Sequence, residues 1–248
     1  MTDHILHTRD GALNIIRMNR PDKKNAITRA MYATMTAALQ QGEADDSVRC
    51  HVIFGVPGAF SAGNDMQDFL TFAMSGSTEM TEVLQFLFAL AGVQKPIISG
   101  VDGLAIGIGT TLNLHCDLTL ATPRTQFRTP FVDLGLVPEA ASSLLAPRIM
   151  GHGKAFELLV MGRSFNAEQA VASGLANTVV GSDTIEAAAI AAAKELAGKP
   201  QEAVKISRRL MKGSPDEILQ RIDDEAVLFA ERLRSKEAQK AFMAFLSK

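Results

Sequence analysis

Short apolar runs that stop at glycine or proline and give way to helical patterning recur through the first half of the chain. This alternation limits the possible folds more than any other feature. "ALNIIRMN" (12–19) has the apolar, β-branched character of a strand and is broken by Arg20-Pro21. Thr28 is suited to cap a helix with Met31, Met35, Ala38 and Leu39 on one face, running to about Glu43. "RCHVIFGV" (49–56) reads as a second strand closed by Pro-Gly, and "KPIISGVDGLAIG" (95–107) as an extended apolar run that ends in glycines. "GTTLNLHC" (109–116) reads as a helix and "DLTLAT" (117–122) as the strand after it. Strands alternating with helices specify an α/β protein. The sequence contains no internal repeat and no low-complexity segment.

With 248 residues, 47% of them hydrophobic, the chain can form one large domain or a domain with an appendage. The net charge of -2 provides no basic field for nucleic acid, and one Tyr with no Trp leaves little for base stacking. No run of about 18 apolar residues marks a membrane span. "MTDHILHTRD" lacks the apolar centre of a signal peptide, and Cys50 and Cys116 fit a reducing compartment, so a cytoplasmic location is expected. The character changes near residue 194: residues 194–248 hold 21 charged side chains, against 31 in the 193 residues before them. The chain therefore divides into a core (1–193) and a helical tail (194–248), the tail being split at Pro200 and Gly213-Ser214-Pro215. Ile218, Ile222, Val227, Phe229, Leu233, Phe242 and Phe245 form an apolar stripe that needs a surface to dock on, either its own core or another subunit.

Two glycine-rich turns carry chemistry. "GAFSAGNDMQDF" (58–69) follows a strand, and "DGLAIGIGTTL" (102–112) opens a helix. Backbone amides at such turns suit an anion or a developing oxyanion. Gly107-Ile108-Gly109 supplies only part of a dinucleotide fingerprint, whose third glycine position is Leu112. No HxH or HExxH pair exists among the histidines, so no metal site is expected; His115-Cys116-Asp117 point in different directions on a helix. Ser142-Ser143 has no His partner in sequence. In "LGLVPEAASSLLA" (134–146), Glu139 is the sole ionisable side chain between Asp133 and Arg148. From these residues alone it reads first as the acidic opening turn of a helix after Pro138. The alternative is a buried carboxylate with a raised pKa.

Five landmarks, taken together, identify a resemblance: "NRPDKKNAIT" (19–28), "FSAGNDMQDF" (60–69), "KPIISGVDGLAIGIGTTLNLHCDLTLAT" (95–122), "FRTPFVDLGLVPEAASS" (127–143) and "GRSFNAEQAVASGLANTVV" (162–180). In order and spacing they resemble the crotonase (enoyl-CoA hydratase/isomerase) superfamily over nearly the whole chain. The resemblance implies a spiral of repeated ββα turns with a C-terminal helical trimerisation region. It also implies an acyl-CoA thioester substrate, no cofactor beyond that coenzyme A, and a homotrimer or a dimer of trimers. It places the backbone N–H groups of Asn64 and Ile108 in an oxyanion hole, with the Ile108 side chain narrowing the acyl channel. The two glutamates of the hydratases are replaced by Thr111 and Phe131. "PFVDLGLVPEAASS" with "AGND" instead resembles the peroxisomal-type Δ3,Δ2-enoyl-CoA isomerases, which place a single catalytic glutamate at Glu139. That implies a shift of the 3-enoyl double bond to the 2-position in fatty acid oxidation. A divergent hydratase, another crotonase-type lyase or hydrolase, and a non-catalytic acyl-CoA-binding protein are the alternatives. The resemblance further implies contacts to the adenine end of CoA from Lys24, Ala26, Ala62, Asp65 and Met66, mostly through backbone atoms, with Phe245 and Lys248 as further candidates.

Overall fold

The computed structural model describes residues 4–68 and 81–246, with side chains as far as Ala244. Strands β1 (Ile5–Asp10) and β2 (Leu13–Met18) form an antiparallel hairpin, followed by helix α1 (Arg29–Ala44). Thr28 caps α1, its hydroxyl accepting the Met31 N–H, and Met31, Met35, Ala38 and Leu39 are buried along one face as the spacing requires. Three strand pairs follow: β3 (Cys50–Phe54) with β4 (Ala59–Ser61), β5 (Ile97–Val101) with β6 (Leu104–Ile106), and β7 (Leu118–Ala121) with β8 (Gln126–Arg128). Helix α2 (Thr81–Gly92) lies between the first two pairs, and α3 (Ile108–Thr111) with a 3-10 turn (Leu112–His115) between the second and third. After β8 come α4 (Ser142–Leu159), β9 (Phe165–Asn166), α5 (Ala167–Ser173), β10 (Thr178–Val179) and α6 (Ile185–Ala197). The chain ends with α7 (Gln201–Lys212), α8 (Pro215–Leu233) and α9 (Lys236–Leu246).

Each strand pair parts company at a corner. The first members join a six-stranded sheet of order β1-β2-β3-β5-β7-β10; the second members join a four-stranded sheet of order β4-β6-β8-β9. Stacking these pairs in parallel register produces the spiral. The apolar run at 95–107 is therefore two strands, β5 and β6, meeting at Asp102-Gly103. Gly103 has φ +76°, and a Cβ there would lie 2.0 Å from the Gly58 carbonyl oxygen of the corner below. Asp102 ties the corners together, accepting from Gly58 N, Thr122 Oγ1 and Arg124 Nε at 2.7–2.9 Å.

The strands β3 and β5 are buried at every position, which fits a parallel sheet covered on both faces. Ile185, Ala189 and Ala193 of α6 cover one face against Leu13, Val52, Phe54 and Ile98. The main core fills the other face and includes Ile53, Ile97, Phe60, Phe86 and Phe127. The rise in charge at residue 194 falls inside α6. In the tail, Ile218, Ile222, Phe229, Leu233 and Phe242 are buried against the chain's own core. Val227 is 61% exposed instead and stands with Phe229 on the wall of a cavity. Helix α7 buries no residue, and its Leu210 and Met211 are 77% and 87% exposed. The corner contact makes Gly103→Ala strongly destabilising, by about 3 kcal/mol or more, whereas Thr28→Ala costs about 1 kcal/mol. Denaturant melts of the two variants check this ranking.

Candidate active site

The two glycine-rich turns meet, and Asn64 of the first lines a cavity. Lys24 and Asn25 both adopt left-handed backbone (φ 48° and 55°), which turns the Asn25 side chain inward. There its amide donates to the Ala59 and Phe60 carbonyls and its oxygen accepts the Arg20 N–H. The neighbouring segment is zipped to the first glycine turn: Ala62 N donates to Lys24 O, Ile27 N to Gly63 O and Asp65 N to Ile27 O. In this parallel bridge the Asn64 N–H lies on the side away from Ile27. Arg20 pairs with Asp65 at 2.6 Å, both side chains mostly buried, and holds the Asp65 carboxyl below its ordinary range against the effect of burial. Lys24 is exposed, and Ala26, Ala62 and Met66 are half-buried, so this turn forms a solvent-facing rim. Lys248 and the Phe245 side chain lie outside the described residues.

Close backbone approach sets the second turn against the first. A Cβ on Gly63 would stand 3.1 Å from Ile106 O, and one on Gly109 would stand 2.8 Å from Ser61 O. Gly107 (φ 55°) makes the corner, its N–H bonded to Arg128 O. Ile108 is the first residue of α3, so its N–H has no acceptor within the helix. Its side chain, 0% exposed, packs into the core and is not part of the cavity wall. The expected narrowing of the channel by Ile108 is not seen at this cavity, to which the buried side chain offers no surface.

Glu139 does not open a helix. Ala140 and Ala141 both have positive φ (60° and 53°), and α4 begins only at Ser142. Left-handed backbone costs a non-glycine residue about 1–2 kcal/mol, so this turn needs holding. His115 Nε2 donates to Ala140 O at 2.8 Å, and Ser142 N donates to Glu139 O at 3.0 Å. Burial lowers His115 to about 4, which keeps the ring neutral. From α8, Glu225 accepts the Ser143 N–H at 2.9 Å.

The turn delivers the Glu139 carboxyl, 8% exposed, to a cavity of about 210 Å³. Leu84 and Leu87 of α2, Asn64, and Ile222, Glu225 and Phe229 of α8 share its walls. Burial pushes the Glu139 pKa up to about 8; the Thr111 hydroxyl opposes this by donating to Oε1 at 2.5 Å, and the Glu225 charge adds to it. Thr111 thus bonds to Glu139 from one of the two positions at which the resemblance expects a hydratase glutamate. Phe131, at the other such position, is buried in the core. The Tyr32 hydroxyl donates to Asn64 Oδ1 at 2.5 Å, and burial with the nearby Glu139 charge keeps this phenol protonated. Thr111, His115, Tyr32 and Glu225 join the site with no motif of their own in the sequence; the one signal is the Thr111 hydroxyl at a position where the resemblance expects a hydratase glutamate. Among the described residues, no group of three or more His, Cys, Asp or Glu could hold a metal ion.

The spiral of parallel strand pairs is a fold that known proteins share. The enoyl-CoA hydratase/isomerase family pattern matches residues 8–248. Enoyl-CoA delta isomerase 2 of Rattus norvegicus is 35% identical over 98% of this chain and 63% of its own length. Enoyl-CoA delta isomerase 3, peroxisomal, of Mus musculus is 32% identical over 98% of this chain and 78% of its own. Among solved structures, OdaA of Pseudomonas aeruginosa aligns with a TM-score of 0.94 at 43% identity, covering 100% of both chains. The chain belongs to the enoyl-CoA hydratase/isomerase family and spans less than two thirds of the rat protein.

A raised carboxyl makes stability depend on pH. The folded protein keeps the Glu139 proton up to about 8 while the unfolded chain loses it near 4.5, so stability falls as pH rises between these values. Glu139→Gln removes that loss. Its melting temperature is expected to exceed that of the wild type by a margin that grows with pH through this window and then levels. Parallel melting curves across the window check this.

Proposed function

We propose that the protein is a Δ3,Δ2-enoyl-CoA isomerase acting on acyl-CoA thioesters, with a place in fatty acid oxidation. The observation that carries the reading is the setting of Glu139: a buried carboxyl with a pKa of about 8, supported by Thr111. An isomerase moves one proton and needs one group that can both accept and give it near neutral pH. The thioester oxygen is held by the N–H groups of Asn64 and Ile108. Ionised Glu139, with Oε1 bonded to Thr111, removes a proton from C2 through its other oxygen. The electron pair spreads onto the thioester oxygen, where the two amides stabilise it. Protonated Glu139 then returns the proton to C4, and the double bond lies between C2 and C3. Proton and charge balance over the cycle, so no cofactor is required beyond the coenzyme A of the substrate.

The rim at Lys24, Ala26, Ala62 and Met66 is assigned to the adenine end of CoA. Asp65 contributes by holding that rim, since its carboxylate is already bonded to Arg20 and to the Gln67 N–H. A homotrimer or a dimer of trimers is what the family resemblance implies, and the exposed Leu210 and Met211 offer apolar surface for association. Sedimentation is expected to return a multiple of three chains at micromolar concentration, and a monomer would contradict it.

Glu139→Gln is expected to lower conversion of 3-enoyl-CoA to 2-enoyl-CoA by about 10²–10⁴ while acyl-CoA binding persists. In the wild type kcat/KM rises with pH and levels above about 8, because the base works only when ionised. Hydration of 2-enoyl-CoA is expected to be poor. Robust hydration lost in Glu139→Gln would favour a divergent hydratase that recruits Glu225, the second glutamate on the cavity.

A further inference from the structure

Glu225 lies on α8, lines the same cavity as Glu139, and is 5% exposed. One oxygen, Oε1, accepts the Ser143 N–H; the other, Oε2, is buried without a partner at normal hydrogen-bond geometry, as is Ser142 Oγ. Burial raises the Glu225 carboxyl above its ordinary value, while Ser143, the Ala141 N–H and Arg221 oppose this and favour its charged form. A carboxylate buried with half its acceptors unused is costly, and a single-proton isomerisation has no chemical step for it. Its place in the fold explains it. Helix α4 has alanine at its N-cap, and that side chain cannot accept a hydrogen bond. Glu225 supplies the missing acceptor from another helix, and its charge sits at the positive end of α4. One turn earlier on α8, Arg221 donates to Ser143 Oγ at 3.1 Å. Two side chains of the C-terminal region thus grip the segment directly after the strained Ala140-Ala141 turn.

We propose that Glu225 is a positioning residue for Glu139: it caps the helix that follows the Glu139 turn and sets a second negative charge beside the acid/base. The inference rests on the reading of Glu139 as that acid/base. The groups packed around the pair are Tyr32 from α1, Thr111 from α3, neutral His115 behind Ala140, and Arg221 and Asp223 from α8.

Two variants separate the cap from the charge. Glu225→Ala removes both, and kcat is expected to fall by up to about 10² with KM little changed, because the turn shifts while the CoA rim does not. Glu225→Gln keeps an acceptor for the Ser143 N–H but carries no charge. It is expected to restore most of kcat and to move the acid limb of the kcat/KM–pH profile to lower pH, since Glu139 ionises more easily without a like charge nearby. A residue with a merely structural role would leave that limb in place. An unmoved limb in Glu225→Gln, or wild-type kcat in Glu225→Ala, would overturn the proposal. Where melting curves show that the Ala variant does not fold, the limb of the Gln variant decides. Wild-type isomerisation by Glu139→Gln would mark failure of the underlying reading, not of this inference.

Discussion

The fold rests on the contact between stacked corners, where Gly103 leaves no room for a Cβ above the Gly58 carbonyl and Asp102 bonds to the corners on either side. At each corner a strand leaves the larger sheet for the smaller one, and the stacking keeps successive corners in register. The site inherits its accuracy from this arrangement. Gly63 and Gly109 repeat the device a few residues further on, bringing the turn at 62–64 and the start of α3 into backbone contact. The oxyanion hole proposed at Asn64 and Ile108 would use backbone amides alone, and the Ile108 side chain lies in the core.

A carboxylate is added to this frame at considerable cost. Glu139 stands on a turn with two left-handed alanines and loses most of its hydration. Contacts from three directions offset the cost: His115 on the turn's carbonyl, Thr111 on the carboxyl, and Glu225 on the helix that follows. The result is a group poised near neutral pH and not at the usual carboxylate value, which is what a residue that both takes and returns a proton needs. Helix α8 also closes the cavity, so the helical tail is part of the site as well as a candidate surface for association.

Much of this was legible in the chain. The Thr28 cap, the strands at 12–19, 49–56 and 117–122, and the two glycine turns are local signals, and the structure has them where the spacing puts them. The isolated glutamate was visible, but its setting was not. A proline and an acid before an apolar run also describe a helix start, and only the backbone at Ala140 and Ala141 separates the two. The supporting contacts link residues far apart: Thr111 and Glu139 are separated by 28 positions, Tyr32 and Asn64 by 32, Ser143 and Glu225 by 82. No periodicity reports such pairs. The repeated strand pairs leave no repeat in the residues themselves for a related reason, since they share a path and not a set of side chains, and only the family resemblance implies them. The full burial of Ile108 and the exposure of Val227 depend on how a helix is rotated against its neighbours, which composition does not specify.

The central claim is that burial raises the Glu139 carboxyl to about 8, so that a fraction of it is ionised near neutral pH to take a proton and the acid so formed can return it. Carbon NMR of the protein labelled at the glutamate side-chain carboxyls, titrated through the neutral range beside Glu139→Gln, tests this directly. A resonance absent from the Gln variant that titrates near 8 in the wild type is the predicted result. A Glu139 resonance that titrates near 4.5, the ordinary value, would contradict the account.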